Sequence, residues 1–150
     1  MRIRSFSEKD KIPVKHLVTQ TLAEFGWKPD PKYDYDLDDP GKFYCNDRDR
    51  FWILEDDCQL IGTIAVKDLG DNKADLGKFF IKKPFRGKEL GMKLMDYAIN
   101  YCRSQNFNSI KIITDESLVV ANALYRQKGF ITINRPETGI LELQLQLSES

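Results

Sequence analysis

Six consecutive residues, Arg86-Gly87-Lys88-Glu89-Leu90-Gly91, place two glycines and two cations where an extended segment gives way to an amphipathic one. A glycine inside a helix gives up about 1 kcal/mol relative to alanine, so two of them at a helix start need a physical reason. Close approach supplies one. Without side chains at 87 and 91, the unpaired N–H groups of a first helical turn can face a phosphate, and the helix dipole and Lys88 favour the same charge. A glycine-containing turn that merely connects two elements also fits these residues. A second constellation, Ala121, Leu124, Tyr125, Gly129 and Phe130, has helical spacing and sets a tyrosine four residues before a terminating glycine. An aromatic residue at such a spot is ordinarily core.

The elements that must position these residues follow from periodicity. Ile3 to Phe6 reads as a strand, and Val14, Leu17, Val18, Leu22 and Phe25 recur at helical spacing from Ser7 until Gly26. Trp27 to Arg48, with three prolines and many aspartates, reads as a long ordered loop with one helical turn. Phe51 to Leu54, Leu60 to Val66 and Leu76 to Ile81 form a three-strand antiparallel meander, which Pro84 must stop. Leu90, Leu94, Ala98, Tyr101 and Cys102 then share one face of a helix. Ile110 to Ile113 is a strand, Ser117 to Lys128 a helix closed by Gly129 in the left-handed conformation, and Phe130 to Ile133 and Ile140 to Leu147 a final hairpin. This order predicts one α+β domain spanning 1–150, with a mixed, mostly antiparallel sheet of about seven strands and helices on both faces.

Composition excludes several classes. The 150 residues carry 23 Lys plus Arg against 23 Asp plus Glu, so no overall positive field recruits nucleic acid or anionic membranes. Aromatic residues at 11% and apolar residues at 41% are too many for a disordered chain. Three irregularly spaced cysteines and the single His16 offer no disulfide framework and no usual zinc set. No signal-peptide core or membrane-length apolar run is present, which predicts a cytoplasmic, metal-free protein. The balance is uneven along the chain. Asp30 to Asp57 holds ten acids against four bases, and Lys73 to Lys93 seven bases against two acids. The acidic arm, with Tyr33, Tyr35 and Tyr44, reads as a solvated loop or as the wall of a site for a cationic amine. The basic segment fits an anion.

On these residues the chain resembles a known family. KFFIKKPFRGKELG is similar to motif A, and ANALYRQKGF to motif B, of the GNAT superfamily of acyl-CoA-dependent N-acyltransferases. The resemblance extends over nearly the whole chain except the acidic arm. It implies a GNAT-like fold and transfer of an acetyl group from acetyl-CoA, the co-substrate, to the primary amine of a small molecule or amino acid by direct attack on the thioester. Modification of a protein amino group, or a non-catalytic acyl-CoA-binding regulatory module, are the alternatives, and a homodimer is left open.

The resemblance also implies site residues. The family pattern R-x-x-G-x-G/A falls on Arg86, Glu89 and Gly91, so the backbone of Arg86, Gly87, Lys88, Glu89, Leu90 and Gly91 is expected to bind the pyrophosphate of coenzyme A. Glu89 stands where the family has glycine, and Leu118 where many relatives have asparagine. Phe80 and Ile81 are expected to pair with the pantetheine arm as an added strand would, with a main-chain N–H near Ile81 as oxyanion donor. Tyr125 falls on the family's tyrosine acid and also touches the cofactor. Its ordinary pKa near 10 exceeds that of a thiol near 8.5, which makes it an assistant in protonating the leaving group. Asp75, where several relatives have glutamate, is the candidate base, although a carboxyl near 3.9 is a weak one unless burial raises it. A polar residue at a hairpin exit is its plainer reading.

Overall fold

Alternation in the strands decides which side chains meet which layer. In the computed structural model, which describes residues 1–87 and 89–147, Phe51 and Ile53 point to one face of the sheet. Trp52 and Leu54 point to the other. In chain order the elements are β1 (Arg2–Ser5), α1 (Lys11–Ala23), α2 (Pro31–Asp34), α3 (Pro40–Phe43), β2 (Arg50–Asp56), β3 (Gln59–Gly70), β4 (Lys73–Ile81), α4 (Leu90–Ser104), β5 (Ser109–Asp115), α5 (Val119–Gln127), β6 (Ile131–Glu137) and β7 (Ile140–Gln146).

The seven strands form one sheet in the order β1-β2-β3-β4-β5-β7-β6. Every neighbouring pair is antiparallel except β4 and β5, which are parallel and therefore need the crossover that α4 provides. Val14 and Val18 of α1 pack with Leu37, Phe51, Ile53 and Ala65 on one face. Leu94, Ala98, Tyr125, Ile112 and Leu143 belong to the larger core on the other. Helices thus cover both faces, as the sequence order predicts. Among the described residues, no helix is long and apolar enough to cross a membrane.

Three local expectations are corrected. The acidic arm is not a loop with one turn: it folds into α2, a 3₁₀ turn at Tyr35–Asp38 and α3. Asp30 caps α2 by accepting from Lys32 N–H, while Pro31 and Pro40 sit at helix starts, where a missing N–H costs nothing. Phe25 falls beyond the end of α1 and stacks on Trp27 at 4.9 Å, still 43% exposed, so it is not on the buried stripe. Helix α5 starts at Val119 because Ser117 donates its N–H and hydroxyl to Asp115 Oδ1 in a preceding turn.

Candidate active site

Strands β4 and β5 pair only at Lys73↔Ser109, Ala74↔Ile110 and Asp75↔Lys111. Beyond Asp75 both strands continue, to Ile81 and Asp115, without pairing with each other, so the sheet opens into a wedge whose apex is Asp75. The local cause is a bulge. Register with β3 jumps from Thr63↔Phe80 to Ala65↔Gly77, which leaves Lys78 and Phe79 opposite the single Ile64. Lys78 adopts φ +53°, and its carbonyl accepts from Thr63 Oγ1 at 2.7 Å. A bulged strand twists harder, and that turns the end of β4 away from β5.

Backbone alternation sorts the two residues expected to meet the pantetheine arm. Lys82 N–H donates to Ile61 O at 2.8 Å, and Gly62↔Ile81 and Thr63↔Phe80 are the next pairs. Narrow and wide pairs alternate in an antiparallel ladder, so Phe80 turns its N–H and carbonyl toward β3 and Ile81 turns its own toward the wedge. The Ile81 carbonyl accepts from Arg86 Nε at 2.8 Å, which leaves the Ile81 N–H facing the opening.

At the wide end of the wedge lies the loop into α4. Arg86 is heavily committed: its N–H donates to Lys83 O, and its guanidinium grips Glu24 of the α1 terminus through two hydrogen bonds of 2.8 and 2.7 Å. That guanidinium holds the Glu24 carboxyl below its usual range. Free donors must therefore come from beyond Arg86. Helix α4 begins at Leu90, so the N–H groups of Leu90 and Gly91 lie in its unpaired first turn. Gly87 has φ +79°, and a Cβ there would meet nothing within 4 Å. Gly91 owes its identity to packing rather than to open approach: a Cβ would stand 3.1 Å from Phe79 Cζ and 3.4 Å from Leu124 Cδ1. Glu89, where the family pattern has glycine, takes φ +62°, a left-handed conformation that glycine favours. Lys88 lies outside the described residues.

Tyr125 is 6% exposed, in the core between Phe79 at 6.1 Å and Phe130 at 6.2 Å between ring centroids. Phe79 is the residue that the bulge swings over the start of α4, so one aromatic contact links β4, α4 and α5. Burial pushes the Tyr125 phenol above its usual pKa. Among the described residues, its hydroxyl has no hydrogen-bond partner. Two turns of hydrogen bonding hold α5 in place beneath it: Thr114 Oγ1 donates to Asn122 Oδ1, and Asn122 Nδ2 to Asp115 O, both at 2.9 Å.

Asp75 lies on the opposite face of the sheet from Tyr125, the face covered by the acidic arm. Burial raises its carboxyl to about 6 against the pull of Lys111 and Lys78. The arm is folded and partly buried, with Asp36 and Leu37 buried and Tyr35 still exposed. Lys78 reaches it with its ammonium, donating to Tyr33 O at 2.6 Å and lying 3.0 Å from Asp36 Oδ1 and 3.5 Å from Asp34 Oδ1. Asp36 also accepts from the Tyr44 hydroxyl at 2.7 Å, and burial drives that phenol upward in pKa. Lys15 pairs with Asp38 and Lys11 with Asp39. At its far side the arm is tied to β6, where Tyr33 Oη donates to Glu137 and Lys32 pairs with the same carboxylate. Lys78, Lys111 and Glu24 were not singled out by the sequence. Of these only Lys78 had a signal, the glycine beside it inside a strand, which marks bulges.

Residues 16–130 match the model of the acetyltransferase (GNAT) family. The chain is 27% identical over 134 residues to the uncharacterized N-acetyltransferase YjgM of Escherichia coli strain K12, covering 85% of this chain and 80% of that one. Among solved structures, a GNAT-family acetyltransferase from Staphylococcus aureus Mu50 superposes with a TM-score of 0.87 at 26% identity, over 98% of this chain and 99% of that one. The PaiA N-acetyltransferase of Thermoplasma acidophilum, in complex with coenzyme A, shares the fold with a TM-score of 0.78 at 17% identity, over 97% and 98% of the two chains.

Proposed function

The chain belongs to the GNAT acetyltransferase family, and from that premise we propose that it transfers an acetyl group from acetyl-CoA to the primary amine of a small molecule or amino acid, residues 1–150 forming one such domain. The observation that carries this reading is the wedge between β4 and β5, open past Asp75 and flanked by Tyr125 and the first turn of α4. The residues present fit acetyl-CoA: Ile81 offers a backbone edge to an extended pantetheine arm, and Gly87, Glu89, Leu90 and Gly91 offer main-chain donors to its diphosphate. Acetyl-CoA supplies an acyl group already activated as a thioester.

The protein's own residues supply the rest. An alkyl amine with a pKa near 10.4 is neutral in only on the order of one molecule in a few thousand at pH 7, so a base beside it matters. Asp75, raised to about 6, suits that task far better than an ordinary aspartate. The amine nitrogen would form its bond to the acyl carbon as the carbon–sulfur bond breaks; of the two protons an ammonium loses on becoming an amide, one would pass to Asp75 and the other, released from the nitrogen after attack, would pass through solvent to the departing thiolate, which leaves as the thiol. The Ile81 N–H is the donor for the oxyanion. Tyr125, with its phenol raised in pKa, stays protonated and donates a hydrogen bond to the thiolate rather than surrendering its proton outright. The arm, strapped from Lys78 to Glu137, narrows the approach and favours small acceptors over a folded protein surface. Two exposed free cysteines, Cys45 and Cys58, accord with a reducing, cytoplasmic setting.

Thiol release from acetyl-CoA across a broad panel of amines tests this. Amine-dependent coenzyme A formation above hydrolysis is expected. Binding of acetyl-CoA with no acceptor-dependent release would reduce the protein to a binding module.

A further inference from the structure

Three charged side chains on the face beneath the arm have no use in the fold. Asp75 projects there because its neighbours Ala74 and Leu76 are buried in the core on the other face. Lys111, flanked by buried Ile110 and Ile112, and Glu142, flanked by buried Leu141 and Leu143, project the same way. Asp75 and Lys111 are direct partners across the parallel pair at the apex of the wedge. Glu142 stands opposite Ile113, one step further along the same face. Lys111 and Glu142 both act electrostatically on Asp75. All three are half-buried.

Among the described residues none of the three makes a hydrogen bond or ion pair. Their neighbours on the arm side behave differently: Lys11, Lys15, Lys32, Lys67 and Lys78 each pair with a carboxylate. A half-buried ammonium and carboxylate that attract each other only through space, with no hydrogen bond or ion pair closed, are incompletely compensated for their burial, and a ligand that reaches both completes them. Their signs specify that ligand. Asp75 and Glu142 call for a nitrogen cation or amine, Lys111 for an anion. Neighbouring strands lie about 4.8 Å apart, so the two demands stand side by side, which suits an amine and a carboxylate on the same or adjacent carbon atoms. A polyamine would satisfy the carboxylates and leave Lys111 opposed by its charge.

Resting on the acetyl-transfer reading above, we propose that the acceptor is an α-amino acid or close amino-carboxylate, with Lys111 holding its carboxylate and Asp75 facing its amine. Lys111 is then a specificity-determining residue, outside the acyl-transfer chemistry. It recognises the acceptor as a point charge; its loss should raise KM for carboxylate-bearing acceptors selectively, while the release of Asp75 from its pull shifts the acid limb of kcat upward in pH for all acceptors alike.

The test compares amino acids with the amines that lack only the carboxylate, alanine against ethylamine and phenylalanine against phenethylamine, for wild type, Lys111→Gln and Lys111→Arg. Wild type should favour the amino acid of a pair by at least tenfold in kcat/KM. Lys111→Gln should raise KM for the amino acids about tenfold or more while leaving KM for the bare amines and for acetyl-CoA in place, and Lys111→Arg should restore part of the preference. Calorimetric binding of the amino acid to the coenzyme A complex should weaken in parallel. Equal use of both members of each pair by wild type, or equal effects of Lys111→Gln on KM for both, overturns the proposal and leaves acetyl transfer standing. Absence of thiol release with every amine overturns both.

Discussion

In the proposed reaction Tyr125 and Asp75 divide the chemistry between the two faces of one sheet, and burial moves both pKa values in the same direction with opposite consequences. For Asp75 a rise to about 6 makes a stronger base. For Tyr125 a rise makes a weaker acid, confined to hydrogen bonding. Tyr125→Phe should lower kcat by roughly 10²–10³, the range for one lost hydrogen-bond donor to developing negative charge, while acetyl-CoA affinity and melting temperature stay close to wild type, because the hydroxyl has no hydrogen-bond partner among the described residues. Steady-state kinetics beside a melting curve checks this. Asp75→Asn should abolish the acid limb near pH 6 in kcat at saturating acceptor. It should also stabilise the fold. A carboxyl whose pKa is higher folded than unfolded takes up a proton on folding between about pH 4 and 6, so its cost is absent below that window and complete above it. The asparagine variant should therefore gain on the order of 1–2 kcal/mol above pH 6 and nothing below pH 4, as denaturant titrations at both pH values will register.

Among the elements, β4 and the turn into α4 set the geometry, and each contains a residue held at positive φ. Lys78 makes the bulge and pins the arm. Glu89 opens the helix in the left-handed conformation and makes no side-chain cap. A side chain in that conformation costs roughly 1–2 kcal/mol, of which the greater freedom of an unfolded glycine would cancel about half to all. Glu89→Gly should thus be neutral to slightly stabilising and should tighten coenzyme A binding several-fold by withdrawing a carboxylate from the proposed diphosphate donors. Calorimetry will measure it, and weaker binding would contradict the assignment of this loop. The elements themselves were legible in the sequence because periodicity and proline or glycine punctuation are local signals. The buried stripes of α1 and α4 emerge where the spacing puts them. The wedge was not legible, since it depends on where pairing between β4 and β5 stops. Nor were the commitments of Arg86 to Glu24, 62 residues away in sequence, or the unpaired state of Lys111. Those are properties of non-local neighbours, which residue type alone does not encode.

Across the whole molecule, the chain's zero net charge resolves into pairs rather than patches. The aspartates that make the arm acidic are spent on Lys11, Lys15 and Lys78, which converts a segment that could have been a cation funnel into a strap across the sheet from α1 to β6. The strap lies over one face of the sheet beside the wedge, and helices α4 and α5 lie over the other. The proposed function requires that coenzyme A enter the wedge from the end of β4 and the start of α4. Residue-resolved amide hydrogen exchange with and without coenzyme A tests this most directly. Slowed exchange at Ile81, Gly87, Glu89, Leu90 and Gly91 is the predicted result. Unchanged exchange at these amides in the presence of saturating coenzyme A, or protection confined to another surface, would contradict it.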